Sequence, residues 1–176
     1  LNCSYQDALF YQKQGIKVVL SNELTLEDII AISELDNIVL DGYGYSNIFY
    51  SKRNLLSLYN EAKDLGNNLP NKLLHIKESN RDNKYPIYEN ENGTFIYTNY
   101  KYVFYEEIKA LKNLFMFKIE SLFIDEEPLF ALIDIFNKAI SGDINDGDYE
   151  KLIAIDNNIG HSFLYKKPLI LGDQNE

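Results

Sequence analysis

Tryptophan is absent from this sequence, and cysteine and methionine occur once each. A lone Cys3 cannot close an internal disulfide or build a thiolate metal cage, which fits a reducing compartment and leads us to expect a cytoplasmic protein. Arginine is almost as scarce, with Arg53 and Arg81 the two in the chain. Lysine cannot reproduce a bidentate guanidinium contact, so both arginines stand out as candidate anion-binding residues. Long apolar runs are missing as well. Leu122-Phe123-Ile124 and residues 129–133 fall far short of the roughly 20 residues needed to cross a bilayer, and no membrane partner is expected. The start, Leu1-Asn2-Cys3-Ser4, lacks the basic-then-apolar layout of a secretory signal and an initiator methionine, so a missing upstream segment is expected. Without secretion, the glycosylation patterns at Asn2-Cys3-Ser4 and Asn92-Gly93-Thr94 read as loop and turn residues. Basic charge is in deficit: 17 lysines and arginines face 27 acidic residues, for a net charge of −10. That balance argues against a chain that binds nucleic acid unaided: no DNA partner is expected, and RNA only through a complex.

The 176 residues are 45% hydrophobic and 14% aromatic, enough for one domain that buries roughly 70% of its unfolded surface. Lys17-Val18-Val19-Leu20 and Ile38-Val39-Leu40 read as strands buried on both faces. Between them Thr25-Leu26-Glu27-Asp28 has the form of a capping box opening a helix to about Ser33. Asp41-Gly42-Tyr43-Gly44-Tyr45 follows the second strand as a Gly-rich and Tyr-rich strand end. Leu55, Leu56, Tyr59 and Ala62 recur at helical spacing before Gly66. Residues 84–90 and 94–98 alternate apolar and polar around Asn92-Gly93, predicting an inserted β-hairpin over about 84–98. A helix carrying Ile108, Leu111 and Leu114, a third buried strand at residues 115–119, and a helix opened by Pro128 and stopped by Gly142 complete the pattern. There is no internal repeat, and residues 172–176 are expected to fray. Strands alternating with helices predict parallel pairing, with chemistry gathered at the carboxyl ends of the strands: Ser21-Asn22-Glu23, residues 41–45 and Glu120.

Three segments in that order resemble the marker blocks of the collagenase-like peptidase family, peptidase family U-thirty-two. Residues 15–29, with Glu23-Leu24-Thr25-Leu26, are similar to the family's strand followed by Glu-Leu-Ser/Thr-Leu. Lys118-Ile119-Glu120 resembles its Lys-Ile-Glu-Gly-Arg strand end. Residues 43–57 match the spacing of its signature, in which a histidine stands where this chain has Tyr43 and two cysteines where it has Asn47 and Asn54. Residues 77–94 and 162–167 resemble a cysteine-poor subgroup linked to tRNA wobble-uridine hydroxylation. The resemblance implies the carboxyl-terminal half of a (β/α)8 TIM-type barrel carrying the hairpin as an insertion. It implies no cofactor, since asparagines 47 and 54 cannot ligate the family's iron-sulfur cluster, and a cysteine-bearing paralogue as partner. On it rests the expectation of an accessory or non-catalytic subunit in tRNA uridine hydroxylation, with a metal-dependent peptidase using Glu23, Asp41 and Glu120, or an inactive remnant, as alternatives.

Each candidate site residue has a structural reading beside the functional one. Arg53, at a helix start, could hold a phosphate or carboxylate with help from free backbone amides, or form an ion pair with Asp41 or Glu23. Arg81 could bind substrate or pair with Glu78, and Tyr43 and Ser51 join the substrate-binding candidates. Lys118 and Glu120 alternate on one strand and so share a face, as a buried acid/base pair or a packing pair. Glu23 could act as a base or cap the next helix. His75 and His161 are too far from carboxylates at ligand spacing to predict zinc, and read as exposed or core residues. The run Asp143 to Asp148 departs from a calcium loop, with Ala154 in place of the bidentate glutamate, and reads as a polar turn. The tyrosines, among them Tyr43, Tyr45 and Tyr50, could stack a base or simply pack the core. No Ser-His-Asp or Cys-His arrangement can be assembled from the sequence.

Overall fold

Val18 and Val19 pair in parallel with Ile38 and Val39, but Val19 is exposed, as are Phe115 and Met116 ahead of and in the third expected strand, so the first and third of these strands are covered on one face and not on both as expected. A computed structural model describes residues 1, 4–66, 73–80 and 82–166 of the chain; Cys3, Arg81 and the tail from 172 lie outside them. The strand order is β1-β2-β5-β4-β3, with β6 on β2 and β7 on β5, giving a mixed α/β fold with a seven-stranded sheet and five α-helices among the described residues. The chain divides into two compact units: Leu1–Gly44 with Tyr102–Glu176, and Tyr45–Lys101 inserted between them.

The first unit opens with α1 (Tyr5–Gln12), then β1 (Val18–Val19), α2 (Leu26–Ile32) and the start of β2 (Ile38–Ser51). The expected capping box is present: the Thr25 hydroxyl accepts from the Asp28 amide, and Asp28 accepts from the Thr25 amide. After the insertion come the end of β5 (Gly93–Val103), a 3-10 helix at Glu106–Ala110, β6 (Met116–Ile119), α4 (Glu126–Ile140), α5 (Asp146–Ile155) and β7 (Ile159–Gly160). β6 lies parallel to β2, with Leu40 opposite Phe117 and Asp41 opposite Lys118. The core between this sheet and its helices holds Leu20, Ile29, Ile32, Ile38, Leu40, Phe104, Tyr105, Leu132, Phe136 and Leu152, all buried. Each such side chain contributes on the order of 1.5–3 kcal/mol on leaving water. The buried Asn37 amide donates to the carbonyls of Ala8 and Ile16 and ties α1 and the turn after it to the head of β2.

The second unit is built on the end of β2, α3 (Leu55–Ala62), β3 (Leu74–Lys77), β4 (Lys84–Asn90) and the start of β5. β3, β4 and β5 run antiparallel, with Leu74 opposite Ile87 and Asn90 opposite Gly93. The predicted hairpin therefore stands, with Glu91 and Asn92 as its loop and Gly93 as the first residue of the returning strand.

Four local expectations change. The Gly-rich segment after Leu40 is extended strand, not a strand end, because its glycines answer close approach by β6 and not a turn. The helix expected around Ile108 is one short 3-10 segment. The helix α4 begins at Glu126, with Pro128 inside its first turn, where a missing amide hydrogen costs nothing. The run Asp143 to Asp148 is no turn but the entry to α5: Asn145 accepts from the Asp148 amide as N-cap.

Candidate functional site

In the first unit, Asp41 on β2 and Lys118 and Glu120 at the end of β6 form a charged triplet. The Lys118 ammonium lies 3.1 Å from Asp41 Oδ1 and 3.6 Å from Glu120 Oε2. Two glycines make room for it. A Cβ on Gly42 would lie 1.8 Å from Phe117 Cζ, and one on Gly44, whose φ is +120°, would lie 2.6 Å from the carbonyl oxygen of Glu120. The Glu120 amide donates to the Tyr43 carbonyl at 2.8 Å, which carries β6 along β2 to the triplet, and Glu120 Oε1 accepts from the Leu122 amide.

Desolvation at this partly covered position acts to lower the Lys118 pKa. The hydrogen bond and charge of Asp41, then the charge of Glu120, outweigh it and hold the ammonium above its ordinary value. Lys118 thus lies between two carboxylates that favour its ammonium form. The expected closed interior is not what surrounds it: the side chains of Lys118 and Glu120 are 47% and 39% exposed, because β6 hydrogen-bonds β2 and presents alternate residues to solvent. Asp41, not foreseen as the nearer partner, is the more covered member.

The other predicted residues scatter. Glu23 is exposed in the loop after β1, and among the described residues its carboxylate makes no hydrogen bond or ion pair; Thr25 and Asp28, not Glu23, cap α2. Tyr43 is buried with its ring 5.7 Å from that of Phe136, so it belongs to the core and presents no ring to a substrate. Among the described residues no three His, Cys, Asp or Glu side chains are grouped to hold a metal ion.

Ser51 and Arg53 lie in the second unit. Ser51 Oγ accepts from the Arg53 amide in a tight local turn. The Arg53 guanidinium is exposed and, among the described residues, has neither of the ion pairs considered from the sequence. The free amides expected at the start of α3 are occupied. The Glu89 carboxylate accepts from the amides of Leu56 and Ser57 and from the Ser57 hydroxyl, and Thr94 Oγ1 accepts from the Leu55 amide. Thr94 Oγ1 also sits 2.8 Å from both Arg53 O and Glu89 Oε2 and donates to one of them. Burial raises the Glu89 pKa, but the hydrogen bonds from Ser57, Thr94 and Leu56 more than offset it and leave the carboxyl below its ordinary value. Asn47 donates to the Phe49 carbonyl, and Asn54 is the N-cap residue of α3 without a side-chain cap bond; both are exposed amides. Arg81 falls outside the described residues.

Two titratable clusters in the first unit were not among the predicted sites: the first is centred in the 143–148 run read as a polar turn, and the second joins residues distant in sequence. Asp148, nearly covered, is held by Lys151 at 2.8 Å, Asn145 at 3.0 Å and Lys138 at 3.3 Å. The Lys151 and Asn145 hydrogen bonds lead in lowering its pKa to about 2. Lys138, Asp148 and Lys151 border an open groove of about 420 Å³ between α4 and α5. Glu107, in the 3-10 helix, is buried and accepts from the Tyr165 hydroxyl, while its Oε2 and the neighbouring His161 Nδ1 are buried without a hydrogen-bond partner among the described residues. Burial pushes the Glu107 carboxyl up, against the opposing charge of His161. Contacts between residues 58 positions apart in sequence leave no spacing to read.

Parallel strands joined through helices, with a charge triplet formed by Lys118 and Glu120 at the carboxyl end of β6 and Asp41 of the neighbouring β2, define an α/β protein with a candidate site at the end of β6. The family model described as Peptidase family U32 matches residues 2–166, and the chain belongs to that family. Among curated proteins it is similar to the tRNA hydroxylation protein P2 of Bacillus subtilis (strain 168), with 31% identity over 139 residues, covering 73% of this chain and 44% of that protein. The chain thus spans less than half the length of that relative. No solved structure matches it. No helix among the described residues is long and apolar enough to cross a membrane.

Proposed function

We propose that this chain serves in the cytoplasm as an accessory subunit of tRNA uridine hydroxylation, carrying no iron-sulfur cluster of its own and docking on a cysteine-bearing paralogue through which tRNA is engaged. The observation that carries this reading is the 31% identity to a tRNA hydroxylation protein across 73% of the chain. The exposed amides of Asn47 and Asn54 support the part concerning the cluster, since a carboxamide is no substitute for a thiolate on iron. The parallel run β1, β2 and β6, with α2 and α4 after the first and last of these strands, supports reading the first unit as part of a (β/α)8 barrel. Within it, Asp41, Lys118 and Glu120 are the groups placed to orient a polar substrate or a partner's side chain at a strand end.

The metal-dependent peptidase reading draws no support from the donor positions, because Glu23 joins neither Asp41 nor Glu120 in a ligand group. Deleting the gene and measuring hydroxylated wobble uridine by mass spectrometry of tRNA digests tests the proposal. Loss of the modification, restored by the natural gene, is the expected result. Unchanged modification would leave an inactive remnant as the better description, and a stoichiometric cluster after anaerobic reconstitution of the purified chain would refute the cluster-free role.

A further inference from the structure

The formal charge of −10 is not spread evenly. Residues 45–101, the inserted unit, contain eight lysines and arginines against six aspartates and glutamates, both arginines included; the rest of the chain contains nine against twenty-one. The insertion is net positive in a strongly acidic protein. One of its six carboxylates, Glu89, is bound by the first amides of α3, and another, Asp82, is paired with Lys77 at 2.7 Å.

Lys52 and Arg53 are exposed, and among the described residues their side chains have no ion pair or hydrogen bond. Their backbone is nevertheless held firmly. Gly93, at φ +127°, packs so closely that a Cβ there would lie 2.1 Å from the Ser51 carbonyl oxygen. The Tyr50 hydroxyl donates to the Asn92 carbonyl at 2.9 Å, and the Tyr50 ring lies 4.9 Å from that of Phe95. Ser51 Oγ and Thr94 Oγ1 fasten the two ends of Arg53's own peptide units. Beside these cations Phe49 and Tyr50 are 44% and 48% exposed. Fixed, unpaired cations next to accessible aromatic rings are what a single-stranded nucleic acid needs: charge for its phosphates and a flat surface for an unstacked base.

We propose that the inserted unit is the RNA-contacting part of this chain, with Lys52 and Arg53 binding phosphates of a single-stranded loop and the half-exposed ring of Tyr50 receiving a base. This rests on the tRNA role proposed above and names the surface through which the chain itself takes part. It also revises the expectation from net charge alone, because a whole-chain sum hides a local excess. Arg53 supplies a planar fork matched to a phosphate, and Lys52 a point charge.

The test is binding of a labelled anticodon stem-loop RNA to the full-length natural protein by fluorescence anisotropy over a salt series. The double variant K52E/R53E should lose at least about tenfold in affinity, and its log–log salt slope should shrink by about 1.4, the share of two phosphate contacts on a single strand. R53K should lose less affinity, and Y50L should weaken binding with the salt slope unchanged. The variant K13E/K109E, with the same charge change on exposed lysines of the other unit, should bind within about twofold of the natural protein. Circular dichroism should show K52E/R53E and R53K folded, since among the described residues the Lys52 and Arg53 side chains make no hydrogen bond or ion pair to lose, and Y50F, which lacks the hydroxyl bond to Asn92 but keeps the ring, should bind better than Y50L. Equal weakening by both double variants, or no weakening by K52E/R53E, would overturn the patch, as would absence of RNA binding at low salt. The two proposals fail separately. Deletion that leaves uridine hydroxylation intact removes the biological role without touching the binding surface, and full complementation by a binding-intact K52E/R53E removes the surface and leaves the role.

Discussion

Gly42 on β2 lies under the ring of Phe117 on β6, so close that a methyl group at Gly42 would fall 1.8 Å from Phe117 Cζ. The ring cannot retreat freely, because its other neighbour is Phe136 of α4, with centroids 4.8 Å apart. G42A should therefore overpack this junction and cost about 1–3 kcal/mol, lowering the melting temperature by roughly 2–4 °C per kcal/mol for a chain of this size. Thermal unfolding followed by circular dichroism measures it. The second change F117L should recover part of the loss by vacating the ring edge; if the double variant is no more stable than G42A, the contact is not the cause.

Glu89 does for α3 what an N-cap side chain usually does, from a strand more than thirty residues away. Asn54, at the cap position, makes no side-chain cap bond, and the Glu89 oxygens take the Leu56 and Ser57 amides instead. E89A should cost about 1–2 kcal/mol, as loss of a cap does, while N54A should cost little. Urea unfolding of the two variants separates them, and equal losses would contradict the assignment. Because the Glu89 pKa is lowered in the fold, its contribution is present above the ordinary carboxylate range and disappears as the pH falls through the lowered value.

The elements legible in the sequence were those fixed by local chemistry. Thr25 and Asp28 announced α2, Asn92-Gly93 announced the β4–β5 hairpin, and the stripe of Leu129, Leu132 and Phe136 announced α4, because each pattern is read within a few residues. What stayed hidden depended on contacts far apart in the chain. Gly42 and Gly44 look like turn residues until Phe117 and Glu120 are brought alongside. The Asn145 cap is a different case: its partner Asp148 is three residues away, and the local N-cap pattern is masked by the partial likeness of residues 143–148 to a calcium loop. Of the candidate site, the pairing of Lys118 with Glu120 followed from strand alternation, whereas Asp41 entered only through the register of β6 on β2. For Tyr43 both a substrate and a core reading stay open in the sequence, because alternation tells which face a residue takes but not whether that face meets solvent or α4; its ring packs against Phe136 in the core.

Asp148 should govern the acid limb of stability in the first unit. Its pKa is held near 2 by Lys151, Asn145 and Lys138, against about 3.9 in an unfolded chain. A depressed folded pKa means stability that is complete above the unfolded value and lost as pH falls through the folded one. Denaturation midpoints should thus decline between about pH 4 and pH 2 more steeply in the natural protein than in D148N, which lacks the ionisable group and starts from a lower plateau. Parallel curves for the two proteins would show that Asp148 is not the titrating group.

Glu107 should produce the opposite dependence. Burial raises its folded pKa, reinforced by Glu106 and opposed by the peptide groups at its own position and at Tyr105 and by the charge of His161. A carboxyl with a raised folded pKa contributes stability that is fully present below its unfolded value and is lost as pH rises through the folded one. Glu107 therefore lowers stability progressively as the solution moves from acid towards neutral. E107Q keeps an oxygen to accept from the Tyr165 hydroxyl but cannot ionise, so the fall in stability over that window should flatten. H161A removes the opposing charge and should steepen or extend it towards higher pH. Urea denaturation of the three proteins from pH 4 to pH 8 gives the slopes directly. The slope is the decisive reading, since either substitution can shift absolute stability by repacking, whereas only loss of a titrating group changes the proton count between folded and unfolded chains. If E107Q and the natural protein share one slope, the buried carboxylate is satisfied by some other contact and the Tyr165–Glu107–His161 cluster has no part in the pH response.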